Sequence, residues 1–268
     1  MLLKARFAVL GLFLTLGATS PSWALEKWKL FDNFNGDAID QDKWPGMIDR
    51  AREVRDRQLR LMARDYAVTN SNTGFSAVSQ QQSLPKPNLV TEIKAKVTAT
   101  AVDVVGCAAN PQVAMARARI YGTFFNTGAG VSGSSLGDVE AQMRLHRSSD
   151  SVDAPGVLRV YAVVARCDDA NCVATTELAS ADFGAADPGQ PVGLQMQWDR
   201  ANKRFLFKRD SDPVVPLVYT VQDAGSAHAP YANVSIRNVI PNCTSAPRPT
   251  SMIDALFDDV SINKSAVP

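Results

Sequence analysis

The chain has 268 residues, is 46% hydrophobic and 21% charged, and carries a formal net charge of +1 with four cysteines. The near-neutral balance, without any basic block, excludes the electrostatic footprint of a nucleic-acid binder. No stretch approaches the roughly 18–20 consecutive apolar residues of a membrane-spanning helix.

Lys4 and Arg6 precede an apolar run from Phe7 to Leu16, followed by Pro21 and the small-residue pattern Ser22-Trp23-Ala24. This order of charged, apolar and small residues is that of a secretory signal peptide over residues 1–24, cut after Ala24. Localisation is therefore expected to be secreted or periplasmic. Removing Lys4 and Arg6 takes the basic count from 28 to 26 against 27 acidic residues, a net charge of −1.

A short strand is predicted to end at Phe34, with a turn at Asn35-Gly36 and Trp44 returning to the core. Ala51 to Arg55 and Gln58 to Arg64 read as a pair of strands around Asp56-Arg57, and Gly74 to Gln82 as another, ended by Pro85 and Pro87. From Leu89 to Ala101 the alternation is unbroken: Ile93, Ala95, Val97 and Ala99 lie on one face, Glu92, Lys94 and Lys96 on the other. Val113 to Phe125 sets Ala114, Ala116, Ala118 and Ile120 against Arg117, Arg119 and Tyr121. A Gly/Ser loop, Thr127 to Ser135, leads into a strand from Gly137 to Arg147. Val157 to Cys167 and Cys172 to Leu178 form a hairpin, and Val192 to Trp198 and Arg204 to Lys208 flank the turn Asp199 to Asn202. Val215 to Val221, Tyr231 to Ile240 and Met252 to Ile262 complete the set.

About a dozen short strands with turn chemistry between them, and no sustained helical period, make this an all-β protein, a sandwich or a barrel. No Pro- or Ser-rich linker divides it, so residues 25–268 are expected to form a single domain. The even cysteine count suits an oxidising compartment. Cys167 and Cys172, separated by Asp-Asp-Ala-Asn, are expected to pinch the neck of a hairpin, and Cys107 and Cys243 then pair by elimination. Zinc is the competing reading. It needs four good ligands at short spacing, whereas the mature chain has only His146 and His228, far apart.

The strand from Gly137 to Arg147 carries the candidate site. Val139, Ala141, Met143 and Leu145 point one way; Asp138, Glu140, Gln142 and Arg144 point the other, onto what is expected to be a wet face. Three readings compete for this face. Cross-strand ion pairs of Arg117, Arg119 and Arg144 with the two carboxylates would keep it soluble. A sugar-binding face would use Arg119, Tyr121, Asp138, Glu140, Gln142, Arg144 and Tyr161, the tyrosine rings offering flat apolar surface and the polar groups fixing hydroxyls. A hydrolase would need Asp138 and Glu140 as its carboxylate pair.

Phe31-Asp-Asn-Phe-Asn-Gly36 with Trp44, the closing run Met252-Ile-Asp-Ala-Leu-Phe-Asp-Asp-Val-Ser-Ile262, and Leu194-Gln-Met-Gln-Trp198 followed by Phe205 and Phe207 resemble the concanavalin A-like lectin/glucanase superfamily. The resemblance implies a jelly roll, a sandwich of two antiparallel sheets, with the closing strand beside the opening one and ligands in a groove of the concave sheet. In the β-glucanases of this superfamily a central strand carries Glu-x-Asp-x-(x)-Glu. Here Asp138 stands at the nucleophile's place, Glu140 at the supporting acid's and Gln142 at the acid/base's. An amide neither gives nor takes a proton at a useful pH. The resemblance also implies a structural calcium between the opening loop and the closing strand, for which Asp259, with Asp258, Asp37, Asp40 and Asp42, would supply hard oxygen ligands.

Gly133-Ser-Ser135-Leu-Gly137 spells a nucleophile-elbow pattern, but a loop precedes it and a strand follows, the wrong context for one. Asn233-Val-Ser, Asn242-Cys-Thr and Asn263-Lys-Ser fit the glycosylation pattern. The sequence thus points to a non-catalytic protein that binds a poly- or oligosaccharide, with no cofactor beyond a possible calcium. The alternatives are a glycoside hydrolase of altered acid pattern and a structural or protein-interaction domain.

Overall fold

The computed structural model describes residues 48–267, all within the compact unit Met47–Pro268. The expected signal peptide, the opening strand to Phe34, Trp44 and the acids Asp37, Asp40 and Asp42 lie outside the described residues.

Among the described residues fourteen strands run in order: β1 (Ile48–Arg55), β2 (Gln58–Tyr66), β3 (Phe75–Ser83), β4 (Glu92–Val105), β5 (Met115–Asn126), β6 (Asp138–Ser148), β7 (Leu158–Cys167), β8 (Thr175–Ala186), β9 (Pro191–Asp199), β10 (Arg204–Arg209), β11 (Val215–Val218), β12 (Gly225–Ser226), β13 (Ala232–Pro241) and β14 (Thr250–Ile262). They form two sheets. The first has the order β1-β2-β14-β4-β9-β10-β11; the second runs β3-β13-β5-β6-β7-β8, with β12 paired onto β5. Every pairing is antiparallel. The all-β sandwich of two antiparallel sheets expected from the sequence is the architecture found.

The alternation that predicts each strand also builds the core. Ile93, Ala95 and Val97 from β4, Leu194 and Met196 from β9, Phe205 and Phe207 from β10 and Ile253, Ala255 and Phe257 from β14 line one sheet. They meet Ala116, Ala118 and Ile120 from β5, Val139, Ala141, Met143 and Leu145 from β6 and Val160, Ala162 and Val164 from β7, and all of these are buried. Aromatic packing closes one end, where Phe125 stacks on Trp198 with centroids 5.5 Å apart and tilts against Tyr219 at 4.8 Å.

Three boundaries differ from the sequence reading. Leu89 is not in a strand: Lys86 takes a left-handed φ of 42° and Pro87–Leu89 form a 3-10 turn ahead of β4. β8 runs to Ala186 rather than Leu178, because register shifts between Val164 and Ala165 and between Arg159 and Tyr161 break its regular alternation. In β14, Thr250 to Phe257 has β2 on one edge and β4 on the other. β14 begins at Thr250 rather than Met252, and the opening strand expected beside it lies outside the described residues.

Both disulfides pair as expected. Cys107–Cys243 has its Cα atoms 5.8 Å apart and ties the end of β4 to the end of β13. With Ala67 and Ile240 it makes a small second apolar cluster. Cys167–Cys172, with Cα atoms 4.7 Å apart, closes the loop between β7 and β8. All four sulfurs are thereby committed, which removes the zinc alternative. Disulfides belong to oxidising compartments, and among the described residues no helix is long and apolar enough to cross a membrane.

Candidate functional site

The second sheet presents its outer face through the alternate residues of three central strands. Arg117, Arg119, Tyr121 and Thr123 come from β5, Asp138, Glu140, Gln142, Arg144 and His146 from β6, and Asn233, Ser235 and Arg237 from β13. Gly137 makes the entry into β6 possible. Its φ is +79°, and a Cβ there would lie 2.7 Å from Ala129 Cβ and 2.8 Å from Thr127 Oγ1.

This face is polar but not wet. Asp138 is 0% exposed, Glu140 8%, Gln142 4% and Arg119 5%. Two segments cover it: the disulfide-closed loop 168–174, through Asn171, Cys172 and Val173, and the loop 227–231, through Ala229, Pro230 and Tyr231. Period-two alternation separates an apolar face from a polar one. It does not say whether loops lie over the polar one.

The buried groups satisfy one another in a chain. Arg119 donates from Nε to Ser235 Oγ at 3.1 Å and from Nη1 to Gln142 Oε1 at 3.2 Å. Gln142 Nε2 donates to Glu140 Oε1 at 3.3 Å, and the Tyr121 hydroxyl donates to Glu140 Oε2 at 2.5 Å. Arg144 also donates to Gln142 Oε1, at 3.3 Å, and to His146 Nδ1 at 3.2 Å. The Arg119 guanidinium lies over the Tyr121 ring, 4.3 Å from its centroid. Tyr231 meets the edge of Tyr121 at 5.5 Å, and its hydroxyl donates to Gln81.

Burial sets the protonation of these groups. Burial first, and then the Glu140 carboxylate, push the Tyr121 hydroxyl well above its usual range. Burial and the neighbouring Arg119 bring Arg144 down to about 10. Burial, then Arg144 and Arg117, bring His146 down to about 4, so its imidazole is neutral at pH 7 and Nδ1 is free to accept from Arg144.

Two adjoining cavities of about 330 and 350 Å³ open on this face and share Glu140, Cys172 and Arg237 as walls. Of the residues expected from the sequence, Arg119, Tyr121, Glu140, Gln142 and Arg144 line one or the other. Asp138 lines neither. Its buried carboxylate accepts from Asn126 Nδ2 at 2.8 Å and from the backbone N–H groups of His228 at 2.8 Å and Ala229 at 2.9 Å. It anchors the covering loop instead of facing Glu140 across a hydrolytic gap. Tyr161 also lies outside the cavities; its hydroxyl donates to Ser180 at 2.8 Å and its ring sits below Arg144.

Three cavity residues escaped the sequence reading in that role. Arg117 was expected only as an ion-pair partner. Arg237 stands opposite it across β5 and β13, a register no single-sequence pattern reveals. Glu177 reaches the first cavity from β8. The expected ion-pair ladder does not form: Arg119 faces Arg144, like against like, across β5 and β6, and among the described residues no salt bridge within 4.0 Å joins these arginines to a carboxylate.

The expected metal ligand Asp259 is exposed and pairs with Lys96 Nζ at 3.0 Å, while Asp258 accepts from Gln58. This pair is exposed on both sides, and the other acids expected there, Asp37, Asp40 and Asp42, lie outside the described residues. Glu140 with Cys167 and Cys172 is the one compact set of metal-type donors among the described residues. Its two sulfurs are disulfide-bonded and offer no thiolate.

No protein-family model matches the chain, and no curated protein matches it. Solved structures do. Sheep galectin-11 in complex with glycerol aligns over 70% of this chain and 98% of its own, at 12% identity and a TM-score of 0.28. The exoplasmic/lumenal domain of VIP36 in its Ca2+/Man3GlcNAc-bound form aligns over 81% and 84%, at 9% identity and a TM-score of 0.36. The GH16 protein of the Bacteroides ovatus mixed linkage glucan PUL, in complex with product, aligns over 81% and 85%, at 11% identity and a TM-score of 0.38. Likeness at this level assigns neither a ligand nor a reaction to this chain.

Proposed function

We propose that the groove formed by the two adjoining cavities holds an oligosaccharide or a segment of polysaccharide, and that the protein is a secreted or periplasmic, non-catalytic carbohydrate binder. The observation that carries this reading is the Arg119–Gln142–Glu140–Tyr121 chain on the floor of the groove, with the Tyr231 ring in its wall. Fixed donors and acceptors beside an aromatic surface are what a sugar ring, with its apolar faces and hydroxyl edges, requires.

The non-catalytic part rests on how the carboxylates are engaged. Both oxygens of Glu140 accept hydrogen bonds from within the protein, and Asp138 is given over to the covering loop. Gln142 supplies no proton. The hydrolase alternative draws on one observation, that Glu177 lines the same cavity as Glu140. Its carboxylate accepts from Ser180 at 2.6 Å.

A glycan array followed by calorimetric titration tests the reading, with a reducing-sugar assay on every glycan bound. Binding without turnover is expected, and Tyr231→Ala should weaken it by about tenfold or more, roughly 1.4 kcal/mol. Turnover that is lost in Glu177→Gln would replace this reading with the hydrolase. Failure to bind any glycan would leave a structural or protein-interaction domain.

A further inference from the structure

We propose that the groove selects anionic glycans, sugar chains bearing carboxylate or sulfate groups, over neutral ones. This rests on the reading of the groove as a sugar site and names the substrate class.

The charged side chains lining the two cavities are Arg117, Arg119, Arg144 and Arg237 against Glu140 and Glu177, four cations to two anions. The strand register sets these cations against each other. Arg119 stands opposite Arg144 and Arg117 opposite Arg237, and like charges directly across a ladder destabilise the sheet. Glu140 attracts Arg117, Arg119 and Arg144, but among the described residues none of the four makes a salt bridge within 4.0 Å. The hydrogen-bond acceptors of Arg119 and Arg144 are the neutral atoms Ser235 Oγ, Gln142 Oε1 and His146 Nδ1. Arg117, 9% exposed, has a buried Nε with no partner at all.

Burial and the neighbouring arginines pull Arg117 well below its ordinary range. A guanidinium does not surrender its proton at neutral pH, so deprotonation does not resolve the conflict. An unpaired cation under a protein surface is costly, and the cost is offset when an anion enters. Guanidinium forks match the paired oxygens of a carboxylate or a sulfate. A neutral sugar would leave the excess of cations over anions unanswered.

The test is calorimetry on the full mature chain with oligosaccharides of matched length. A uronate oligomer (oligogalacturonate), a sulfated oligomer (carrageenan oligosaccharide), a neutral oligomer (cello- and laminari-oligosaccharide) and free inorganic sulfate are titrated in parallel. At least one charged oligomer is expected to bind ten-fold or more tighter than the neutral ones, and the comparison of its two types tells carboxylate from sulfate. Arg237→Gln, at a half-buried position, should remove ten-fold or more of that affinity without changing affinity for the neutral chains, and Arg237→Lys should keep much of the preference. The comparison among glycans in the unaltered protein stands even if the variants fold poorly. Equal affinity for charged and neutral chains would overturn the selection while leaving the sugar groove in place. Inorganic sulfate binding as tightly as the charged oligomers would overturn it as a glycan site. Absence of binding to every glycan would overturn the groove reading itself, and this inference with it.

Discussion

The Tyr121 hydroxyl donates to Glu140 Oε2 at 2.5 Å, from β5 to β6, beneath two covering loops. Both groups are largely buried, Tyr121 7% and Glu140 8% exposed. Burial and the adjacent carboxylate hold the phenol protonated across the neutral range, which makes it a permanent donor. Hydrogen bonds to a charged group contribute about 1.5–3 kcal/mol. Tyr121→Phe and Glu140→Gln are therefore expected to be coupled by about that amount in a double-mutant cycle of unfolding free energies. Additive effects, with coupling within about 0.5 kcal/mol of zero, would mean that the two groups do not meet in solution.

The two disulfides divide their roles by loop length. Cys107–Cys243 spans 136 residues of sequence and Cys167–Cys172 only 5. On the chain-entropy account the first contributes roughly 5 kcal/mol and the second roughly 2. The short bridge, however, sits on the groove, with Cys172 Sγ 3.4 Å from Glu140 Oε2. Replacing Cys107 and Cys243 by alanine is expected to lower the melting temperature the more, and replacing Cys167 and Cys172 to loosen glycan binding the more. Thermal melts and titrations of the two double variants check this, and the reverse ranking would show that loop 168–174 does not shape the groove.

His146 gives the fold an acid sensitivity of defined sign. In the unfolded chain its imidazole takes up a proton near pH 6.5; in the folded protein burial, Arg144 and Arg117 hold it down to about 4, against weaker opposing pulls from Asp182 and Asp150. Between those values the unfolded state binds more protons, so stability falls as pH falls from about 6.5 to about 4 and this contribution is complete below that. The loss is roughly 3 kcal/mol. Denaturant titrations at pH 7, 6, 5 and 4 should show it, and His146→Gln should flatten that part of the curve. Parallel curves for the two proteins would place His146 in water.

The sheets were legible because each strand has a clean apolar side. Ala116, Ala118 and Ile120 in β5 and Val139 to Leu145 in β6 need no partner to be assigned to the core. The cysteine pairs were legible from the turn residues between Cys167 and Cys172. The site was legible as a row of residue types on β6, but its meaning depended on register and on loops. That Arg237 faces Arg117 follows from the pairing of β13 with β5, between residues 120 positions apart. That Asp138 is withdrawn from the groove follows from amides at 228 and 229 reaching across to it. A period of two carries neither fact.

Asp138 offers the sharpest separation of structure from chemistry. Its carboxylate accepts three N–H groups, two from the backbone of the loop that ends in Tyr231 and one from Asn126, and it is wholly buried. In Asp138→Asn the side chain keeps its shape but turns one acceptor into a donor, setting N–H against N–H. An unsatisfied buried group costs about 1–3 kcal/mol, and the strain falls on the loop that carries Ala229, Pro230 and Tyr231 into the second cavity. Asp138→Asn is thus expected to destabilise the fold by about that amount, to speed hydrogen exchange at the amides of His228 and Ala229, and to weaken glycan binding as the Tyr231 wall moves. A nucleophile at this position would behave otherwise, with exchange and affinity preserved and turnover abolished. Exchange mass spectrometry and titration on the same variant decide between them; unchanged protection at residues 228 and 229 would show that Asp138 does not hold the loop.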